Sequence, residues 1–155
     1  MNDLANLPHV QFSGQQASSP QPLSPHKDPH VIACANEVLS GFADLCRSLH
    51  HATILTDDGF EVASLADDVR QNGRVASMAS SMQALGDAVA KDLRIGATEY
   101  IIIAATTGYV IQMRVPDNSM VLAAHFDAAE TVGKALSVAR LVATNMRTLI
   151  SSEAA

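Results

Sequence analysis

The spacing of apolar residues divides the chain into helical and extended segments. Between residues 31 and 49 an apolar side chain recurs every three or four positions, which is the period of an amphipathic helix. Two short apolar runs follow, around Ile54 and around Val62, with the sequence Asp-Asp-Gly between them. Aspartate before glycine favours a hairpin turn, because the turn needs a positive φ that glycine adopts freely. The pattern therefore predicts a helix and then a β-hairpin.

The next helical segment has two different faces. We expect its bulky face to pack on a sheet, with Met78 and Met82 as core residues. The members of this face recur at spacings of three and four: Val75, Met78, Met82, Leu85, Val89 and Leu93. Small side chains on another part of the circumference leave room for a second helix to approach closely. They are Ser77, Ser81, Ala84 and Ala88.

Three apolar segments with short connections predict three strands, over residues 98–105, 109–115 and 120–126. Short connections favour antiparallel pairing, and apolar residues on both faces favour a sheet covered by helices on each side. Asp127 followed by Glu130 predicts a capping box at the start of a last helix. We predict an α/β fold of the α+β type, ordered α-β-β-α-β-β-β-α, with a central five-stranded antiparallel sheet and helices on both faces.

Composition changes abruptly near residue 30. Residues 1–29 hold five of the six prolines, together with Ser and Gln, and lack apolar periodicity. Such a segment buries too little apolar surface to offset the entropy of ordering. We therefore predict a disordered leader over residues 1–29, one domain over residues 30–151 and a mobile tail over residues 152–155. The sequence "LPHVQF" in this leader could be a short docking motif, but the composition favours a leader without a binding role.

Charge and hydropathy exclude several classes of partner. The 155 residues carry a net charge of −6 without a Lys- or Arg-rich segment, which argues against a nucleic-acid partner. No apolar run approaches the ~18 residues of a membrane span, so we predict no membrane insertion. The first residues also lack the pattern of a signal peptide, and we expect a cytoplasmic location.

Few residues are candidates for chemistry. Cys34 and Cys46 lie twelve residues apart in the predicted first helix, about 18 Å at its rise, so we expect buried, inert thiols. His50 and His51 are expected to close that helix, and His125 to lie satisfied on a strand. No phosphate loop, nucleophile elbow or zinc-protease motif occurs in the sequence. We therefore predict no catalytic residue, no cofactor and no metal.

The adjacent acids of the first hairpin allow two interpretations. Asp57 and Asp58 could form a metal-binding or acid–base pair, or they could only form a turn with Gly59. A pair of that kind would need convergent histidines or acids nearby, and the neighbouring sequence supplies none. We interpret Asp57, Asp58 and Gly59 as a hairpin turn.

The strand "TEYIIIAA" is too apolar to be left as an open sheet edge, which would invite uncontrolled pairing. A symmetric second copy would close it. We therefore predict a homodimer in which two copies of the strand pair antiparallel and two copies of the second helix approach each other. The predicted interface residues are Ser77, Ser81, Ala84, Ala88, Tyr100, Ile101, Ile102 and Ile103.

Several segments together resemble a known family. "TDDGFEVAS" in the hairpin, "ASMASSMQALGDAVAKDL" on the second helix, "GYVIQMRV" on a middle strand and the order of elements are similar to the roadblock family of dynein light chains and its bacterial relatives. The resemblance covers residues 31–150 and implies a roadblock/profilin-like fold. It also implies a non-catalytic scaffold that forms dimers and regulates Ras-like small GTPases, in bacteria sometimes by stimulating GTP hydrolysis. The family supplies no catalytic residue to carry over, and its core has no counterpart of the leader.

Two other functions fit the same pattern. The chain could be an assembly adaptor in a larger complex without a GTPase, or a small-molecule-sensing domain. Against the sensor, the chain has only six aromatic residues and no cluster of polar groups to orient a ligand. Against the adaptor there is only the family analogy.

Overall fold

The computed structural model describes residues 21–66 and 72–153. After a short 3-10 helix, Pro25–Lys27, the helices and strands follow in the predicted order. Their bounds are α1 (Pro29–Leu45), β1 (Leu49–Thr56), β2 (Glu61–Ala66), α2 (Asn72–Leu93), β3 (Tyr100–Ala105), β4 (Gly108–Arg114), β5 (Met120–Asp127) and α3 (Val132–Glu153).

The five strands form one sheet in the order β2-β1-β5-β4-β3, and all neighbours pair antiparallel. The pairing of β1 with β5 joins the first hairpin to the later three strands. Within the described residues, β2 and β3 each pair on one side only. The predicted five-stranded antiparallel sheet is confirmed, and β3 is an edge strand.

Helices cover both faces of the sheet, as predicted. On one face α1 and α3 enclose the main core, in which Phe42, Leu39, Phe126 and Met146 are almost fully buried. On the other face α2 packs alone, and its Ala76 and Ala79 form a smaller cluster with residues of β1 and β5: Leu55, Val121 and Ala123. The molecule therefore has three layers with unequal cores.

The first helix ends earlier than its apolar period predicts. It ends at Leu45, and Leu49 already pairs with Phe126 in the sheet. His50 and His51 consequently lie in β1, so the prediction that they close the helix is wrong. Cys46 lies just after the helix, and both thiols are buried as predicted.

The predicted start of the last helix is also wrong. Asp127 ends β5, and its carboxylate accepts a hydrogen bond from the Ala129 N–H at 2.8 Å, which forms a local turn. The helix begins at Val132, where the Thr131 hydroxyl accepts from the Lys134 N–H at 3.4 Å. Thr131, four residues after Asp127, is therefore the residue that caps the helix, and its hydroxyl satisfies one backbone N–H of the first turn.

Part of the predicted leader lies within the described residues. The Asp28 carboxylate caps α1 by accepting from the His30 N–H at 2.9 Å. The His26 ring stacks on Phe60 of the first hairpin, with 4.5 Å between centroids. Residues 1–20 and 154–155 lie outside the described residues, and α3 extends to Glu153. The domain bounds at residues 30 and 151 stay predictions.

Candidate interaction surface

Helix α2 packs on the sheet with its small face. Ala76, Ala79, Gln83 and Ala90 are its buried side chains among the described residues. The large apolar side chains point outward: Met78 is 57% exposed, Leu85 66%, Val89 47% and Leu93 64%. The prediction that the bulky stripe belongs to the core is therefore wrong for Met78, Leu85, Val89 and Leu93, whereas Met82 is half-buried and packs against the smaller cluster. We call Met78, Met82, Leu85, Val89 and Leu93 the outer stripe.

Small residues bring α2 close to the sheet. A Cβ added at Gly86 would lie 2.9 Å from Cδ1 of Ile101, so the helix backbone packs directly on this side chain of β3. Ala76 and Ala79 approach β1 and β5 in the same way. Polar contacts between the helix and the sheet supplement this packing.

A chain of amide hydrogen bonds links the middle of α2 to β4. The buried Gln112 side chain donates to the Ala79 carbonyl at 2.9 Å and to the Gln83 side-chain oxygen at 3.1 Å. Gln83 in turn donates to the Asp87 carboxylate at 3.0 Å. Because buried polar groups cost free energy when unpaired, these bonds favour one position of α2 on the sheet.

Arg114 joins α2 to the first hairpin. Its guanidinium donates to Asp57 at 2.7 Å and to Asp87 at 2.5 Å. Burial raises the pKa of the Asp87 carboxyl, but the hydrogen bonds, led by that from Arg114, outweigh it and hold the pKa below its ordinary value. Asp57 therefore has a partner beyond the turn, and the Ser80 hydroxyl also donates to its carbonyl at 2.6 Å.

The turn itself is built as predicted. Gly59 has φ +89°, and its N–H donates to the Thr56 carbonyl at 2.9 Å. Asp58 accepts a hydrogen bond from the Thr56 hydroxyl and is exposed. Within the part of the chain that the structure describes, no group of three or more His, Cys, Asp or Glu side chains could hold a metal ion.

The edge strand beside α2 also presents apolar side chains to solvent. Tyr100 is 39% exposed and Ile103 44%, while Ile101 and Ile102 are half-buried. Successive side chains of β3 point to opposite faces of the sheet. Ile101 contacts Gly86 on the face that α2 covers, and Ile102 packs against the main core on the other face. On the other face of the sheet the Arg140 guanidinium lies 5.3 Å from the Tyr100 ring centroid.

Two adjacent depressions lie between α2 and the face of the sheet that it covers. An open groove of about 640 Å³ lies between α2 and β3, and its lining includes Leu85, Val89, Ile95, Ile101 and Ile103. A recess of about 370 Å³ lies beside the N-terminal half of α2. Met82 and Ile103 line both, so groove and recess form one continuous apolar surface.

Two histidines line the recess together with apolar residues. His51 and His125 are register partners on β1 and β5, and Val75, Met78 and Val110 complete much of the wall. Burial lowers the pKa of His51, the Glu61 carboxylate opposes this shift, and His125 adds to it. The net pKa lies below the ordinary value, so the imidazole favours its neutral form in the folded chain.

The predicted interface residues fall into two groups. Ser77, Ser81, Ala84 and Ala88 are all exposed, and they lie on the side of α2 that faces away from the sheet. Leu85 is four residues from Ser81 and three from Ala88, so these small residues border the outer stripe. The groove, in contrast, joins β3 to the outer stripe rather than to the small residues.

A signal for this surface is present in the sequence. Residues 75–86 carry no charge on any side of the helix. A helix with one solvated face normally carries charges there, and their absence over three turns favours a second covered face.

Comparison with solved structures identifies the architecture. The chain superposes on MglB of Myxococcus xanthus with a TM-score of 0.71 at 13% identity, covering 78% of this chain and 90% of that one. This chain has the roadblock fold. A Roadblock/LC7 domain from Streptomyces avermitilis gives a TM-score of 0.60 at 16% identity, covering 75% and 91%. The roadblock resemblance drawn from the sequence is confirmed at the level of fold.

A third neighbour of the roadblock fold is the gliding protein MglB of Thermus thermophilus, with a TM-score of 0.70 at 16% identity, covering 79% of this chain and 92% of that one. No family model matches the sequence, and no curated protein matches it. None of the helices in residues 21–66 and 72–153 is long and apolar enough to cross a membrane.

Proposed function

We propose that this chain is a non-catalytic, dimeric module that binds and regulates a Ras-like small GTPase. The observation that carries the proposal is the apolar surface formed by the outer stripe and β3 on a roadblock fold. A folded domain rarely leaves so many large apolar side chains uncovered on one face unless a partner covers them.

The first partner in this proposal is a second copy of the chain. Among the described residues, no strand pairs with the outer side of β3, and Tyr100 and Ile103 on this strand are partly exposed. Two copies related by a two-fold axis would pair their β3 strands antiparallel and extend one sheet through both. The contact would also cover the groove, with the small residues of α2 at its border.

The second partner in this proposal is the GTPase. Its assignment rests on the roadblock fold shared with two MglB proteins and on the regulatory role that the family resemblance implies. The uncharged side of α2 at Ser77, Ser81, Ala84 and Ala88 supports the proposal, because a pair of such helices would offer a broad surface without charge repulsion.

The decisive experiment uses purified Ras-like GTPases from the same genome, each loaded with GDP or with a slowly hydrolysed GTP analogue. We expect one of them to co-sediment with the chain in one nucleotide state and to hydrolyse GTP at a changed rate. Leu141→Arg changes an exposed residue of α3, and we expect this matched control to leave binding unchanged. A dimer that binds none of these GTPases in either state would contradict the regulatory proposal and favour an assembly adaptor.

A further inference from the structure

The recess beside the N-terminal half of α2 lies over one row of side chains on the sheet. Ala76 and Ala79 of the helix pack against Leu55, Val121 and Ala123, and the next row along the strands lines the recess instead. This row consists of register partners on four strands: His51, His125, Val110 and Ile103.

Three imidazoles meet at one end of this row. Strand β1 has one extra residue between its pairings with Phe126 and His125, so that His50 and His51 both lie beside His125. The ring centroids of His50 and His125 are 5.5 Å apart, and Nε2 of His50 lies 3.2 Å from the Asp127 carboxylate. Of the three, His51 and His125 line the recess. The sequence does not show this pair, because only the register of β1 on β5 brings the two residues together.

One nitrogen of this pair lacks a hydrogen-bond partner. The Nε2 atom of His51 is buried, and no group in the described part of the chain pairs with it. A buried polar atom without a partner costs free energy, so its presence calls for an explanation. Because Nε2 is unpaired, turning the ring about its Cβ–Cγ bond toward the recess breaks no hydrogen bond at this atom. A ligand in the recess would supply the missing partner.

The remaining lining defines the shape and polarity of such a ligand. Val75, Met78 and Met82 of α2 face Val110 and Ile103 of the sheet, so the walls are apolar. A cavity with apolar walls and a few polar groups at one end is typical of a small-molecule site. The volume of about 370 Å³ corresponds to about 12 groups of the ~30 Å³ that a water occupies in the liquid. A chain of about eight to ten carbons with one polar head has this size.

The two imidazoles determine the charge of the head group. Among the described residues of the lining, His51 and His125 are the only ones with an ionisable side chain. An imidazole carries charge only as a cation, so an ionised head group that binds here is an anion.

We propose that the recess binds a medium-chain monocarboxylate, with its chain between α2 and the sheet and its carboxylate on the imidazoles of His51 and His125. Hydrogen bonds from an imidazolium to a carboxylate are charge-assisted and therefore strong. The inference goes beyond the proposed function and needs neither the dimer nor the GTPase, because one copy of the chain supplies the whole recess.

Binding of the anion is coupled to uptake of a proton. Burial and His125 favour the neutral form of His51, whereas the Glu61 carboxylate on β2 favours the cation. The Asp127 carboxylate is already paired with His50, and residues 75–86 of α2 add no charge. A carboxylate that contacts both rings would favour the cationic form, so affinity should fall as pH rises above the ordinary histidine pKa of about 6.5.

Titration calorimetry of the full chain with octanoate tests the proposal. We expect a dissociation constant of about 1 mM or tighter at about pH 6, about tenfold or more weaker binding at about pH 8, and proton uptake in two buffers with different heats of ionisation. We expect 1-octanol, the neutral probe, to bind without this pH dependence. His51→Gln and His125→Gln should each weaken octanoate binding about tenfold at about pH 6, because each removes a charge-assisted hydrogen bond.

His50→Gln is the matched control, since it removes the adjacent imidazole that is paired with Asp127, and we expect it to change octanoate affinity less than about twofold. Met78→Glu changes an exposed residue of the wall, so we expect it to fold and to repel the anion. Thermal melts of every variant confirm folding.

Three results would overturn the monocarboxylate site: a native chain that does not bind octanoate, octanol that binds as tightly as octanoate at about pH 6, or folded His51 and His125 variants with unchanged affinity. Sedimentation of the same samples tests the dimer separately. A dimer that does not bind octanoate would contradict this inference alone, and a monomer that binds it would contradict the proposed dimer alone.

Discussion

Single side chains at the first hairpin turn have separable roles. Gly59 has φ +89°, and an added Cβ would also meet the Ser80 side chain at 3.4 Å. We expect Gly59→Val to lower the free energy of unfolding by about 1–3 kcal/mol, because a β-branched residue is strained at positive φ. Asp58→Ala is the control, since Asp58 is exposed and its hydrogen bond with Thr56 is local to the turn. Thermal melts that rank Asp58→Ala as equally damaging would contradict the role given to Gly59.

His51 makes stability depend on pH. Its folded-state pKa is lowered, first by burial, while the unfolded chain takes up a proton near the ordinary value of about 6.5. The contribution of the neutral imidazole is therefore fully present above about pH 6.5 and is lost as pH falls through the lower folded pKa. We expect His51→Gln to flatten the acid side of the stability profile between about pH 7 and pH 5. An unchanged slope in melts across that range would exclude His51 as the source.

The orientation of α2 can be tested through its two faces. Ala79 is buried against β5, so Ala79→Leu overfills the contact, and we expect it to cost about 1–3 kcal/mol. Leu85→Gln changes an exposed residue and is expected to stay within about 0.5 kcal/mol of the native chain. Chemical unfolding is measured at a concentration low enough to dissociate the proposed dimer. If Leu85→Gln lowered the free energy of unfolding more than Ala79→Leu, the bulky stripe would have to be the face that packs on the sheet.

The order of elements could be predicted because local signals agree with the final structure. Asp-Gly at the turn, helical spacing in three segments and short connections between the last strands all predict the observed architecture. The ends of elements were harder to predict. Leu49 continues the helical period of α1 but pairs with Phe126, and Asp127 and Glu130 have capping-box spacing although Asp127 ends β5. In both places long-range pairing overrides a local pattern.

The face of α2 that packs on the sheet could not be chosen from periodicity. Ala76, Ala79, Gln83 and Ala90 have the same helical spacing as the outer stripe, and the larger hydrophobicity of Met78 and Leu85 favours the wrong face. Close packing at Gly86 and the bonds of Gln112 and Arg114 decide the orientation, and these depend on residues distant in sequence. Two uncharged faces on one helix predict that both faces are covered. They do not predict which face packs on the chain's own sheet and which binds a partner.

In the part of the chain that the structure describes, an open apolar side lies at β3, and an N-terminal segment packs at the first hairpin. We expect a chain that begins at Gln21 to melt like the full chain, because it keeps the His26–Phe60 stack and the Asp28 cap. A chain that begins at His30 loses both, and the cap alone is worth about 1 kcal/mol, or about 2–8 °C. A large loss already at Gln21 would place residues 1–20 in the folded core.

The assembly as a whole can be tested by comparing neighbouring positions on α2. Leu85 lines the groove, whereas Ala84 lies on the side facing away from the sheet. In the proposed dimer both positions approach the second helix, so we expect Ala84→Arg and Leu85→Arg each to weaken it. The effect of Leu85→Arg is expected to be larger, because it places a charge in the apolar groove while Ala84→Arg adds bulk at its border.

Sedimentation equilibrium of both variants, with Leu141→Arg as control, measures this difference. A weakened dimer for Leu85→Arg with an unchanged dimer for Ala84→Arg would restrict the interface to groove and β3 and leave the small residues free for another partner. An unchanged dimer for both would remove α2 from the interface. In that case the exposure of the outer stripe would have to be explained by a partner other than a second copy, because apolar area of this size is rarely left in water.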